Sequence, residues 1–394
     1  MYLAACAVPD GGLFRERRFR DVHLYGGFAD RIVHGSVPYR DFFLEYPPGA
    51  LAVFLPPRVF GTGGTYIDAF KALMAVCGAA TLVLVVVLLV RLGASRRHVL
   101  ATTALLALSP LALGPISLNT YDGFPALLTV AALAALASGA EVVALGLLGL
   151  AFAAKVYPVV VVPAALIFVW RRGGLRRAFM AAGAFVAVAF AFVVPFLVLA
   201  PHGLGESFRA QAGRGLQLES LGGQVLIAAD HLGLYSATVA HRTKEAISDD
   251  VVGGLPDALA TAGSVLQAVA VVLVTALYAR GRADARRLPL AFGAAVAGFL
   301  AFSRFVSPQY LVWLVPLVVV LFRPLVWALV AAALVLAQIW FFHYPGLREL
   351  SDRNWLVLVR DLLLVAVFAL LLRASAKDED AVVLEDEAPP RVPA

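Results

Sequence analysis

An all-α, polytopic membrane protein is the fold class this sequence predicts, and three observations carry it. The 394-residue chain is 61% hydrophobic and only 15% charged. Its apolar runs recur at lengths near the ~20 residues that cross a hydrocarbon layer as a helix. Arginines gather in short clusters between alternate runs, the pattern that orients membrane proteins. Helices are the form open to isolated spanning segments, because lipid offers backbone N–H and C=O groups no partner.

The apolar segments lie at 69–91, 99–117, 123–140, 142–154, 156–170, 178–200, 258–279, 288–302, 309–322, 324–342 and 355–373, about 11 in all. The basic clusters are Arg91, Arg96 and Arg97; Arg171, Arg172, Arg176 and Arg177; Arg280, Arg282, Arg286 and Arg287; then Arg323, and Arg373 with Lys377. The positive-inside rule places these in the cytoplasm and fixes the opposite ends as extracytoplasmic.

Residues 1–68 then form an extracytoplasmic first loop with interfacial amphipathic helices, and 69–200 form membrane segments with a broken, re-entrant hairpin at 142–170. Residues 201–257 form a second extracytoplasmic loop, 258–373 the remaining membrane segments, and 374–394 a disordered cytoplasmic tail, acidic and proline-ended. Arg15, Arg17, Arg18 and Arg20 are out of place in a loop that crosses the membrane unaided. The easiest explanation is a missing first helix with "MYLAACAV" as its last turns; a late start codon and a true absence both account for it.

The net charge of +6 belongs to these orientation signals and is no nucleic-acid footprint. Cys6 and Cys77 predict neither a structural disulfide nor a metal centre. "MYLAACAV" is too short for the apolar core of a cleavable signal peptide and lacks a basic leader, so none is expected in it. "FGTGGTY" reads as turn chemistry, since no strand precedes it and no nucleotide motif follows.

On the extracytoplasmic face, "RDVHLYGGFADRIVHG" places Val22, Tyr25, Ala29, Ile32 and Val33 at helical spacing, an amphipathic helix that opens on Asp21 and ends at Gly35. The ordinary reading of Asp21 is a helix cap; the functional one is a general base within reach of an acceptor hydroxyl. "VPYRDFFLEYPPGAL" follows with Asp41, Glu45 and Tyr46. Pairing with Arg40 is the plain account of the two carboxylates, and an interfacial aromatic belt accounts for Tyr25, Tyr39 and Tyr46.

Lys155 sits with Pro158 in "AAKVYP", between two segments each short for a full span. A lysine at that depth faces a polar site or snorkels to the interface. The second loop carries Arg209, Arg214, Gln217 and Glu219, and arginine there suits phosphate. Surface pairing of Arg214 with Glu219, or Arg209 with Glu206, is the plainer account. Asn119 and Asp122 in "LNTYDGFP", and Arg304 and Gln309 in "FSRFVSPQYLVWL", add polar groups at the mouths of two more helix pairs.

In order along the chain, the Asp21–Tyr25 helix with "GSVPYRDFFLEYPPGAL", "NTYDGFPALL", "AAKVYPVVVVPAAL", "GRGLQLES" and "SRFVSPQYLVWLVP" resemble the GT-C superfamily of integral-membrane glycosyltransferases. The likeness is strongest to bacterial polyprenol-phosphate-mannose-dependent α-mannosyltransferases, over about residues 20 to 320.

The resemblance implies transfer of a hexose, mannose foremost, from a polyprenyl-phosphate donor to a glycolipid or glycan acceptor, with inversion. It implies Asp21 as base, with Glu45, and likewise Glu219, orienting the acceptor or the sugar hydroxyls. Lys155, Arg214, Arg304 and Arg209 are the cations for the leaving phosphate. It calls for no organic cofactor and leaves a divalent metal open. An arabinofuranose donor is the near alternative. A lipid or sugar transporter is the alternative from another class, against which stand the absence of an evident repeat and the gathering of acids on one face.

Overall fold

The computed structural model describes residues 1–11, 21–242, 248–341 and 350–381. The arginines at 15, 17, 18 and 20, residues 343–349 of the last loop and residues 382–394 of the tail lie outside the described residues.

The chain opens with α1 (Tyr2–Gly11) and α2 (Asp21–Val33). Pro47 and Pro48 preset a 3-10 turn at Pro48–Ala50, which runs into the one-turn α3 (Leu51–Phe54) and a second 3-10 turn at Pro56–Phe60. Next come α4 (Gly63–Arg91), α5 (Arg96–Leu113), the short α6 (Ile116–Asn119), α7 (Gly123–Ala137) and α8 (Glu141–Ala154). A 3-10 turn at Tyr157–Val161 enters α9 (Val162–Leu199), which breaks at Gly174 with φ of 76°.

The segment read as a long loop is built of α10 (Pro201–Ala212), β1 (Leu216–Gln217), α11 (Leu221–His231), β2 (Val239–Arg242) and β3 (Ser248–Val251). The bundle resumes with α12 (Gly254–Arg280), α13 (Leu288–Ala301), α14 (Leu311–Val319), α15 (Pro324–Phe341) and α16 (Asn354–Ala376).

The all-α membrane class holds, with one addition. The three strands form an antiparallel sheet in the order β1-β3-β2, pairing Gln217 with Asp250 and Ala240 with Asp250 across its faces. The strands are too short and polar, "SDDV" for instance, to announce themselves by alternation.

Among the described residues, four elements are long and apolar enough to cross a membrane: α4, Tyr157–Leu199, α12 and α16. Between them stand shorter apolar helices, among them α7, α8 and α13. The 14 residues of α8 rise about 21 Å, short of the ~30 Å hydrocarbon thickness. Helices that stop early need their terminal carbonyls satisfied inside the protein. At the end of α14, Trp327, Thr102 and His98 bond the carbonyl oxygens of Val318, Val319 and Val320 at 3.0, 2.8 and 2.8 Å.

The arginine clusters meet at one end of the bundle, and the sequence-based tail begins as an ordered strap there. Asp378 and Asp380 pair with Arg282 at 3.0 and 3.1 Å, Glu379 pairs with Arg323 at 2.6 Å, and the Ala381 N–H reaches the Arg286 carbonyl at 3.1 Å. The reading of 374–394 as wholly disordered is corrected for residues up to 381, whose acids pair with arginines of these clusters.

Candidate active site

The site lies at the other end, where α8 stops. Lys155 follows α8 in extended conformation, so its side chain leaves the helix axis and only 13% of it is exposed. Its Nζ donates to Asp122 Oδ1 at 2.7 Å, and Trp313 Nε1 donates to the same oxygen at 2.7 Å. The ammonium also faces the rings of Tyr121, Tyr310 and Trp313 at 4.5, 5.0 and 5.2 Å. Trp313 is itself sandwiched between Tyr157 and Tyr310, with centroids 4.1 and 4.2 Å away. Tyr121 Oη donates to the Ala154 carbonyl at 3.2 Å, so residues 121 and 122 grip the hairpin tip together.

The proline-broken stretch after α2 packs on that tip. Gly49 lies so close to α8 that a Cβ there would meet the Ala153 carbonyl carbon at 2.5 Å. Helix α10 clamps the same stretch from the other side, Ser207 Oγ donating to Leu44 O at 2.7 Å and Gln211 Nε2 to Glu45 O at 2.9 Å. Glu45 is thereby held against Arg214, Oε2 to Nη2 3.3 Å. The Arg214 guanidinium lies 3.7 Å from the Phe305 ring centre, and its buried Nε has no hydrogen-bond partner among the described residues.

Asp21 completes the cluster. Its helix buries Val22, Tyr25, Phe28 and Ala29, with Tyr25 stacked on Phe54 at 4.3 Å and edge-on to Tyr46 at 5.6 Å. Among the described residues, the hydrogen bond to its carboxylate comes from Gln309 Nε2 at 3.5 Å, not from the first turn of α2. Burial raises the Asp21 pKa to about 7, aided by the charges of Glu45 and Asp122 and opposed by Lys155. Burial likewise raises Glu45, against the pull of Arg214. Two neighbouring, half-buried carboxylates thus sit above their ordinary range.

The structure brings Asp21, Glu45, Tyr46, Asp122, Lys155, Arg214 and Gln309 to one place. Asn119 stands beside them in α6, its Nδ2 spent on Pro115 O at 2.9 Å and its buried Oδ1 without a partner among the described residues.

Four other sequence candidates do different work. Asp41 is exposed and held at about 2 by the Arg40 side chain and the Val37 N–H. Arg209 is exposed on α10 and has no polar contact among the described residues. Gln217 ties the outer sheet to the bundle, accepting the Val306 N–H at 2.8 Å while its own N–H bonds Arg304 O at 2.9 Å. Arg304 turns its guanidinium to the Ala212 carbonyl.

Glu219 belongs to a second buried cluster. Its carbonyl accepts from Arg360 Nη2 at 2.5 Å, and Arg360 pairs with Asp361 at 2.7 Å. Burial lifts the Glu219 carboxyl to about 8, with Arg360 opposing and Asp361 and Asp249 reinforcing. The expected surface pair of Arg214 with Glu219 does not form; Glu45 takes the arginine instead.

Trp313, Tyr121, Tyr310, Ser207 and Gln211 are site residues that sequence reasoning missed. Tyr310 and Trp313 were hidden inside an apolar run, where a ring that supports a cation looks like any core side chain, and Tyr121 stood unremarked beside Asp122.

Spanning helices around a recessed cluster of carboxylates and cations define a multi-pass membrane protein with a polar site at one end of its bundle. A family model described as "Glycosyltransferase family 87" matches residues 43–308, and the chain belongs to that family, a membrane glycosyltransferase. The matched region holds Glu45, Asp122, Lys155 and Arg214; Asp21 and Gln309 flank it.

Among solved structures, the chain is similar to ArnT from Cupriavidus metallidurans, bound to undecaprenyl phosphate, at 15% identity and a TM-score of 0.48 over 96% of this chain and 77% of that one. It is also similar to the Archaeoglobus fulgidus oligosaccharyltransferase tethered with an acceptor peptide, at 13% identity and 0.43 over 96% of this chain and 55% of that one. Among curated proteins, none matches the chain in sequence.

Proposed function

We propose that the chain moves a hexose, mannose in the first instance, from a polyprenyl-phosphate donor to a glycolipid or glycan acceptor on the extracytoplasmic face, with inversion. The observation that carries this reading is one half-buried carboxylate, Asp21, its pKa raised to about 7, gathered with two guarded cations, Lys155 and Arg214. The arginine clusters at the opposite end support the orientation.

In this reading the Asp21 carboxylate takes the proton of an acceptor hydroxyl. The acceptor oxygen attacks the anomeric carbon from the side opposite the phosphate, the bond from that carbon to the phosphate oxygen breaks, and lipid phosphate leaves. A base with pKa near the working pH is the efficient choice. Arg214 offers an unpaired Nε and Lys155 a half-shielded ammonium to the charge that grows on the phosphate. Glu45 keeps Arg214 in place, and Asp122 with Trp313 keeps Lys155.

The test is a donor panel on purified protein in bilayers: polyprenyl-phosphate-linked mannose, glucose and arabinofuranose, each labelled in the sugar. Transfer from the hexose donors supports the reading. Transfer from arabinofuranose alone gives the pentose alternative, and net movement of lipid without transfer gives the transporter.

A further inference from the structure

The end of the bundle opposite Asp21 carries a groove that the transfer chemistry does not use. A cavity of about 640 Å³ opens between the α7–α8 turn and the restart of α9 after Gly174, lined by Glu141, Val142, Val143, Arg176, Arg177 and Met180. That volume is in the range of small-ligand pockets.

Glu141 is the informative residue. It opens α8, where a carboxylate suits the positive helix terminus. Its Oε2 lies 3.7 Å from Arg177 Nη1, and its side chain is only 8% exposed. Yet Oε1 is buried and, among the described residues, has no hydrogen-bond partner. A buried acceptor left unmade is costly, and such atoms are rare. Topology explains why arginines stand at this end; it does not explain why they wall a cavity beside an unpaired acceptor. Apolar surface continues outward from the groove, with Val142, Val143, Phe179 and Met180 all exposed.

We propose that this groove binds the headgroup of an anionic glycerophospholipid that carries hydroxyls. The Arg176 and Arg177 guanidiniums take the phosphodiester, which their planar forks fit. The Glu141 carboxylate, which lines the groove, accepts a headgroup hydroxyl, and the acyl chains run along Val142, Val143 and Met180. A phosphomonoester headgroup is disfavoured, because its second negative charge and missing hydroxyl both meet the Glu141 carboxylate. The lipid braces α9 at its break.

The test is native mass spectrometry of the whole protein released from nanodiscs that contain phosphatidylglycerol, phosphatidic acid or phosphatidylcholine. Wild type is expected to retain phosphatidylglycerol over both others. Arg176→Gln, which leaves the Glu141–Arg177 pair intact, is expected to lose about tenfold in that retention, the equivalent of one charge-assisted hydrogen bond. Glu141→Gln is expected to keep phosphatidylglycerol and to admit phosphatidic acid.

Equal retention of all three lipids by wild type overturns the proposal, a result that needs no variant to fold. So does displacement of the lipid by soluble glycerophosphoglycerol, which would make the groove a free-anion site.

Discussion

Lys155 and Trp313 donate to one and the same oxygen, Asp122 Oδ1, each at 2.7 Å. Residues from α14 and from the hairpin tip are thus locked to the start of α7 through a single carboxylate. Removing one partner of such a buried pair leaves the other uncompensated, at about 3–5 kcal/mol. Asp122→Asn is therefore expected to lower thermal stability sharply. Lys155→Met combined with Asp122→Leu is expected to regain most of the loss while staying inactive in transfer. Unfolding curves and a transfer assay on the three proteins check this.

The Glu45–Arg214 pair is expected to act differently. Arg214→Lys keeps the charge but loses the planar fork that stacks on Phe305 and presents Nε. We expect transfer by Arg214→Lys to fall about tenfold to a hundredfold, the span of one or two lost phosphate contacts. Kinetics against varied donor, with stability measured in parallel, separate this from misfolding.

Transfer is expected to rise with pH through about 7, because Asp21 is active when ionised and burial has lifted its pKa to about 7 from an ordinary 3.8. Below that midpoint the carboxyl is protonated and cannot take a proton. A rate profile measured between pH 5 and 9, flat across 7, would remove Asp21 from the role of base.

Glu219 yields a stability prediction with its own sign. Its folded pKa, raised to about 8 from 4.5, means that the stability it contributes is full below 4.5 and is lost as pH rises through 8. Glu219→Gln removes that loss. The variant is expected to melt a few degrees above wild type at pH 8.5 and to differ little from it at pH 5, as scanning calorimetry at the two pH values will report.

The membrane class was legible because burial in lipid writes itself as long apolar runs with arginines between. The gathering of Asp21, Glu45, Asp122, Lys155, Arg214 and Gln309 was legible only as polar residues at helix ends on one side. Which of them meet depends on tertiary packing. Arg304 and Gln217 look as polar as Arg214, yet they serve to pin the outer sheet to the turn before α14. The Arg360–Asp361 pair lay unnoticed inside an apolar run, although two adjacent charges at that depth signal a buried partner. The small sheet had no signal, since its strands are two to four residues long.

The central claim is that Asp21 is the base of a sugar transfer from a lipid phosphate. The direct measurement compares wild type with Asp21→Asn in bilayers supplied with labelled polyprenyl-phosphate-mannose, at pH 8. The Asn variant should fold at least as stably there, because the raised Asp21 pKa makes the ionised carboxylate a cost to the folded state above about 7. Loss of about a hundredfold or more in transfer by a folded Asn variant is the result predicted. Transfer by Asp21→Asn at the wild-type rate would contradict the account.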